Sequence, residues 1–158
     1  MLKLPKTIKW VITDFDGIVT DNYVYINDEG SMSRRVNFKD IIGFYMLHKS
    51  GINVSIISGE ENAVIGILQK RFGLKEVYMK IHNKAEVLRD VIERNNLTEE
   101  DYLYIGDDIN DLECLKLAKY RITVPDAADE LLNMDGIQIT AKRGGSGAFR
   151  EVADCLRS

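Results

Sequence analysis

Ile8-Lys9-Trp10-Val11-Ile12-Thr13-Asp14-Phe15-Asp16-Gly17 sets an apolar run directly against two carboxylates and a glycine. The run from Ile8 to Thr13 is short and rich in β-favouring residues, so it predicts a buried strand. Asp14 and Asp16, spaced i, i+2, point the same way in extended backbone because side chains alternate faces. Two like charges held that close destabilise each other unless a cation or a shared proton offsets them. Gly17 lets the chain turn sharply with no Cβ in the way. The segment therefore predicts a strand end that holds a metal ion and a nucleophile.

Working outward, apolar runs alternate with helical periodicity along the whole chain. Tyr23 to Phe38 places two extended arms around Asn27-Asp28-Glu29-Gly30 and predicts a β-hairpin over about 22–38. Asp40 is the expected cap of a helix that Gly51 ends. Asn53 to Ile57 is a strand closed by Ser58-Gly59, and the next helix buries Val64, Ile65, Leu68 and Phe72 and runs to Gly73. A strand from Glu76 to Met79 and a helix from Lys84 to Asn95 follow. Tyr102 to Ile105 is a strand ending in Gly106-Asp107-Asp108. Beyond it come a helix through Leu112 and Leu117, a strand from Tyr120 to Val124, a helix from Asp126 to Leu132, a strand from Ile137 to Thr140 and a helix from Ala148 to Leu156. This order predicts an α/β fold: a three-layer, doubly wound, mostly parallel sheet covered on both faces.

Composition narrows the function classes. With 158 residues the chain is expected to form one domain, and 45% apolar content is ordinary for a soluble one. A formal net charge of −4 gives no electrostatic footprint for nucleic acid or an anionic membrane. No apolar run reaches transmembrane length and no signal-peptide pattern opens the chain, so a cytoplasmic location is expected. Cys114 and Cys155 then read as reduced thiols, and His48 and His82 share no zinc-ligand spacing with them.

In a doubly wound sheet, ligands bind beyond the carboxyl ends of the strands. Polar residues fall there four times: Asp14 with Asp16, Ser58, Lys84, and Asp107 with Asp108. Each has a bland reading taken alone. A strand-end Asp is often a cap, Ser58-Gly59 an ordinary turn, and Lys84 a solvated helix residue. Gly106-Asp107-Asp108-Ile109-Asn110-Asp111 resists that reading, because three carboxylates repel one another unless a cation or lysine offsets them. Oxygen ligands from Asp14 and Asp107 suit Mg²⁺. An Asp carboxylate can attack phosphorus, and a second one two residues on can protonate the leaving oxygen.

Asp14-Phe15-Asp16-Gly17-Ile18-Val19-Thr20-Asp21, the Ser58 turn, Lys84 and the 106–111 segment resemble, in order, the four motifs of the haloacid dehalogenase superfamily. The likeness is closer to its small capless phosphatases of 3-deoxy-2-keto sugar acid phosphates, and it covers nearly the whole chain. That resemblance implies Asp14 as nucleophile and metal ligand, and Asp16 as general acid/base whose backbone carbonyl also meets Mg²⁺. It implies Ser58 and Lys84 as phosphoryl ligands and Asp107 as the other metal carboxylate. Asp108 is expected to orient Lys84 or a metal-bound water, and Asp111 to belong to the following helix or support the site. Asn37-Phe38-Lys39-Asp40 matches a substrate-contacting segment. Gly144-Gly145-Ser146-Gly147-Ala148-Phe149-Arg150-Glu151, within a tail of about 142–158, matches a tail that helps to complete the site. The branch implies a homotetramer in which a neighbour's hairpin and tail replace a cap.

Gly59 and Glu60 follow the second motif. Relatives acting on the eight-carbon acid, 3-deoxy-manno-octulosonate 8-phosphate, commonly carry Arg where Glu60 stands. Glu60 matches those acting on nine-carbon ulosonate 9-phosphates of the sialic acid type, as does Arg71. Leu68 stands where both groups usually have Arg, which departs from the pattern. A carboxylate at position 60 suits a polyol or amine, and the nine-carbon class is favoured; a first-turn residue complementing the helix dipole is the bland alternative. Arg143 and Arg150 either meet the substrate carboxylate of an adjacent subunit or are solvated. The tail lacks the Gly-Lys-Ser/Thr ending of a nucleotide-binding loop. Two other functions compete. A signalling receiver domain would need the acidic pair before its phosphoacceptor, the reverse of the order here. A noncatalytic tetramerisation module, like those fused to sialic acid-activating enzymes, would have lost acids that this chain keeps.

Overall fold

The computed structural model describes residues 1–157; Ser158, the last residue of the expected tail, lies outside the described residues. Strand β1 (Trp10–Thr13) leads into a hairpin of β2 (Tyr25–Ile26) and β3 (Met32–Ser33). Then follow α1 (Phe38–Lys49), β4 (Asn53–Ile57), α2 (Ala63–Phe72), β5 (Glu76–Tyr78) and α3 (Lys84–Arg94). The second half runs β6 (Tyr102–Ile105), a 3₁₀ turn (Ile109–Asp111), α4 (Leu112–Leu117), β7 (Tyr120–Thr123), α5 (Asp129–Leu132), β8 (Gln138–Ile139) and α6 (Ala148–Arg157). The main sheet has six strands in the order β5-β4-β1-β6-β7-β8, all paired in parallel. The doubly wound α/β expectation holds, and no cap domain is present among the described residues.

The sheet is buried because its strands carry no polar alternation: every residue of β1 and of β6 is buried. One helix layer groups α1 with α2 and α6, and the other groups α3 with α4. Phe44 of α1 stacks on Phe149 of α6 with ring centroids 4.2 Å apart. The chain reverses its winding between β1 and β6, where Thr13 lies in register with Ile105, so the crevice of the switch point opens beyond those two strands. Among the described residues, no helix is long and apolar enough to cross a membrane.

Several strands are one or two residues shorter than expected, and three elements differ more clearly. Asn37, not Asp40, caps α1, its side chain accepting from the Lys39 amide at 2.9 Å. Asp40 lies within the first turn of the helix, fully buried, and accepts from the amides of Gly147 and Arg150, each at 3.0 Å. It caps α6 from the side of α1, where a carboxylate also complements the helix dipole. Burial pushes its pKa up even though the backbone donors of α6 oppose that shift. The expected helix from Asp126 to Leu132 shrinks to Asp129–Leu132, with Ala128 amide bonded to Asp107 carbonyl at 2.9 Å. Lastly, the hairpin strands span only two residues each.

Replacing Asp40 by Ala should lower unfolding stability by about 1–3 kcal/mol, because two buried amides lose their acceptor. Urea denaturation measures this; a variant as stable as the parent would return Asp40 to the candidate substrate contacts.

Candidate active site

Beyond β1 and β6 a cleft is lined by Asp14, Asp16, Ser58, Glu60, Asp107 and Asp108, with Gly59 beside them. β1 ends at Thr13, and the Asp14 amide is bonded to the Ile105 carbonyl at 2.9 Å, so the two acidic loops leave the sheet side by side. Phe15 turns into the core while Asp14 and Asp16 face the cleft. The alternation expected of a strand is thus produced by a tight turn instead, in which the Val19 amide reaches the Phe15 carbonyl at 2.9 Å. Gly17 is required twice over. Its φ is +84°, and a Cβ there would stand 1.9 Å from Asp107 Oδ2.

Lys84 opens α3 fully inside the protein. Its Nζ lies 2.6 Å from Asp14 Oδ2 and 2.9 Å from Asp111 Oδ1. Burial alone would lower the Lys84 pKa, but Asp111 and Asp14 outweigh it and the group is held protonated above its usual range. Asp111 is fully buried and saturated with donors. Its Oδ1 also accepts from Tyr104 Oη at 2.7 Å, and its Oδ2 from the amides of Asp107 at 3.1 Å and Asp108 at 3.4 Å. Asp111, rather than Asp108, therefore orients Lys84. Asp108 instead caps the 3₁₀ turn, accepting from the Ile109 amide at 2.7 Å.

Carboxylate oxygens of Asp14, Asp107 and Asp111 lie within 4.8 Å of one another. Three acids thus share one ammonium. Burial first, and Asp111 second, raise Asp14 well above the ordinary carboxylate range, partly opposed by Lys84. Burial, with Asp111 and Asp108, pushes Asp107 up to about 7. A hard dication fits this donor set, because it supplies the missing positive charge to oxygen ligands. Asp14 keeps more acceptor capacity for a cation than Asp111: each Asp111 oxygen already accepts from two donors, whereas Asp14 Oδ1 accepts only from the Phe15 amide at 2.6 Å and Oδ2 meets only Lys84. Ser58 is buried in the cleft wall, its Oγ accepting from the Glu60 amide at 3.2 Å.

A profile of haloacid dehalogenase-like hydrolases matches residues 20–143. The chain belongs to that family. This haloacid dehalogenase-like hydrolase is 29% identical over 151 residues to 3-deoxy-D-manno-octulosonate 8-phosphate phosphatase of Haemophilus influenzae, covering 96% of this chain and 83% of that one. It superposes with a TM-score of 0.88 on the Moraxella catarrhalis 3-deoxy-D-manno-octulosonate 8-phosphate phosphatase, a structure in complex with magnesium, phosphate and KDO, at 30% identity and covering 96% and 86% of the two chains. A putative hydrolase of the family from Streptomyces avermitilis gives a TM-score of 0.89 at 32% identity, covering 99% and 94%. The fold and the enzyme class of this hydrolase follow: it stands in the capless phosphatase branch.

Other sequence-expected residues lie outside the cleft of the single chain. Asn37 is occupied as the α1 cap, and Asp40 as the α6 cap. Arg71 lies over the Phe72 ring, 5.5 Å from its centroid, and lines a separate apolar groove with Phe38 and Tyr45. Lys39 and Arg150 line a third depression, where Arg150 pairs with Asp154 at 2.9 Å. The tail holds its own chain's first loop: Gly145 amide bonds Ile18 carbonyl at 3.0 Å, and a Cβ on Gly144 would stand 1.8 Å from Gly17 carbonyl. Arg143 directly precedes this contact.

Sequence reasoning missed Thr20 and Arg34, which bond Asp16, Asn22, which bonds Asp107, Tyr104, which bonds Asp111, and His82, which lines the cleft. Thr20 stood inside the quoted first motif, and its hydroxyl was the available signal. Asn22, Arg34 and Tyr104 offered none, because each reaches the site from an element read as hairpin or core.

Without metal, Asp107 keeps a proton in the folded state up to about pH 7 that the unfolded chain releases near the ordinary carboxyl value of 3.8. Stability should therefore fall as pH rises through that window and level off above it. Urea unfolding in chelator at pH 5 and pH 8 measures the fall. In Asp107→Asn the gap between the two pH values should shrink, on the order of a few kcal/mol. An equal gap in parent and variant contradicts the electrostatic reading.

Proposed function

We propose that this chain is a Mg²⁺-dependent phosphomonoester hydrolase of 3-deoxy-2-keto sugar acid phosphates, working through an aspartyl-phosphate. The observation that carries it is the buried set of Asp14, Lys84, Asp107 and Asp111 at the switch point, with Ser58 in the same cleft wall. In this reading the described residues form one phosphatase domain.

Asp14 is the nucleophile. One of its carboxylate oxygens bonds to phosphorus as the ester P–O bond breaks, and the electron pair leaves with the ester oxygen. Asp16 gives that oxygen its proton, then takes one from the water that hydrolyses the acyl phosphate. Lys84 and Ser58 hold non-bridging oxygens where negative charge must be stabilised. Asp14, Asp107 and the Asp16 carbonyl would hold Mg²⁺, which when bound neutralises phosphoryl charge. Asp111 keeps Lys84 aimed, through contacts that leave the ammonium one further donor.

Glu60 at the cleft supports a nine-carbon ulosonate 9-phosphate, since a carboxylate there accepts from a hydroxyl or ammonium and repels a substrate carboxylate. The named relatives support the eight-carbon 3-deoxy-manno-octulosonate 8-phosphate as a second reading. The retained Asp14, Asp16, Ser58, Lys84 and Asp107 weigh against a noncatalytic tetramerisation module. A cytoplasmic site of action belongs to the same proposal.

Phosphate release from both sugar acid phosphates with Mg²⁺ tests the function. Asp14→Asn should reduce turnover on the order of 10⁴-fold or more. Glu60→Arg should shift the ratio of kcat/KM away from the nine-carbon substrate by about tenfold, the equivalent of about 1.4 kcal/mol. No release above the Asp14→Asn control on either compound, or on an aryl phosphate, would defeat the enzyme reading.

A homotetramer is part of the proposal. Tyr23, Tyr25, Ile26, Met32, Phe38 and Tyr45 are all exposed, an apolar surface suited to burial against another copy. Lys39, Arg71, Arg143 and Arg150, which lie outside the cleft of their own chain, would serve a neighbour's site. Sedimentation should give a species four times the 18.0 kDa chain mass; a stable monomer would remove the shared site.

A further inference from the structure

The hairpin engages the cleft through its two roots. On the outgoing arm Asn22, at φ +66°, donates Nδ2 to Asp107 Oδ2 at 3.1 Å. On the return arm Arg34 donates Nε to Asp16 Oδ1 at 2.9 Å. Met32, Ser33 and Arg35 beside it stand in solvent, yet the Arg34 side chain is only 7% exposed. A guanidinium drawn in from an exposed ribbon gives up hydration and rotamer freedom, so its partner has to compensate it. Thr20, which bridges to Val36 across the base of the hairpin, donates Oγ1 to the same Asp16 Oδ1 at 3.1 Å. Oδ1 is thus held from both arms. Asp16 Oδ2 is buried and has no hydrogen-bond partner among the described residues.

We propose that Arg34 is a positioning residue for the reaction: with Thr20 it fixes the Asp16 carboxyl in the rotamer that reserves Oδ2 for the leaving-group oxygen, and so ties the hairpin to proton transfer. This rests on the phosphatase reading given above. In the first step the Asp14–phosphorus bond forms, the ester bond breaks, and the departing oxygen takes its electron pair together with a proton from Asp16 Oδ2. Only a leaving group too basic to depart as an anion needs that proton. Loss of Arg34 therefore penalises an alkyl phosphate more than a nitrophenyl phosphate of similar size. An arginine that served only to bind substrate, or only to hold the hairpin folded, has no such preference.

The test measures kcat/KM with Mg²⁺ for benzyl phosphate and 4-nitrophenyl phosphate in the parent, Arg34→Met and Arg34→Lys. kcat/KM reports the first phosphoryl transfer, and the ratio of the two values is independent of how much of a preparation is correctly folded. In Arg34→Met the benzyl to nitrophenyl ratio should fall about tenfold, a fraction of the roughly 10²–10⁴ that general acid catalysis contributes. Arg34→Lys, which keeps a cationic donor, should lie between Arg34→Met and the parent. A ratio unchanged within about twofold in Arg34→Met, with an active parent, overturns the positioning role and leaves the phosphatase reading standing. So does a rise in KM for a sugar acid phosphate with the ratio unchanged, which would make Arg34 a substrate contact. A parent inactive on every phosphate overturns both.

Discussion

Lys84 Nζ stands between two buried carboxylates, 2.6 Å from Asp14 and 2.9 Å from Asp111. All three groups are buried, so their charges are weakly screened and each holds the others in place. The ammonium comes from the first residue of α3, Asp14 from the end of β1, and Asp111 from the 3₁₀ turn after β6. One cation therefore binds three chain segments that are far apart in sequence. Breaking such a pair by removing one partner typically costs about 3–5 kcal/mol, because it strands a charge. The cluster remains short of positive charge even when intact. Burial first, and the neighbouring acids second, raise Asp107, and the deficit makes the cleft a place for a dication and a phosphoryl group rather than a finished structural salt bridge.

Around this cluster the backbone is packed closely enough to exclude side chains. A Cβ at Gly17 would strike Asp107, one at Gly106 would stand 2.4 Å from Asp111 Cβ, and one at Gly144 would strike Gly17 itself. The first motif, the fourth motif and the C-terminal tail are thereby locked together in one chain. α6 is anchored behind them by Asp40 and by the Phe44–Phe149 stack. The hairpin contributes a further constraint, since its roots reach Asp107 and Asp16 while its arms project Tyr25, Ile26 and Met32 into solvent.

Much of this was legible in the chain. The strands at Asn53–Ile57 and Tyr102–Ile105 and the helix ending at Gly73 follow from continuous apolar runs and from 3.6-residue periodicity, signals that local sequence carries in full. Asp14, Asp16, Ser58 and Asp107 were legible because polar residues at strand ends interrupt those runs, and all line one cleft. Asp108 and Asp111 were separated only in part: the supporting role expected of Asp111 is seen, and Lys84, one of the two partners expected of Asp108, belongs to Asp111. Adjacent acids in a loop look alike until the 3₁₀ turn aims one at Lys84 and leaves the other capping the turn. Asp40 misled for a similar reason: a carboxylate near a helix start reads as its own cap, whereas here it serves a helix more than a hundred residues away.

The sequence by itself determined the doubly wound sheet and the chemistry of its strand ends, because hydrophobic period and residue type are local properties. Tertiary structure decided who partners whom. It gave Lys84 to Asp14 and Asp111, Arg34 and Thr20 to Asp16, and Asn22 to Asp107, and it turned Arg71, Lys39 and Arg150 away from the cleft of their own chain. Those pairings depend on the angle at which a hairpin root or a helix start meets the end of the sheet. That angle is fixed by packing between segments distant in sequence, where no local pattern reaches.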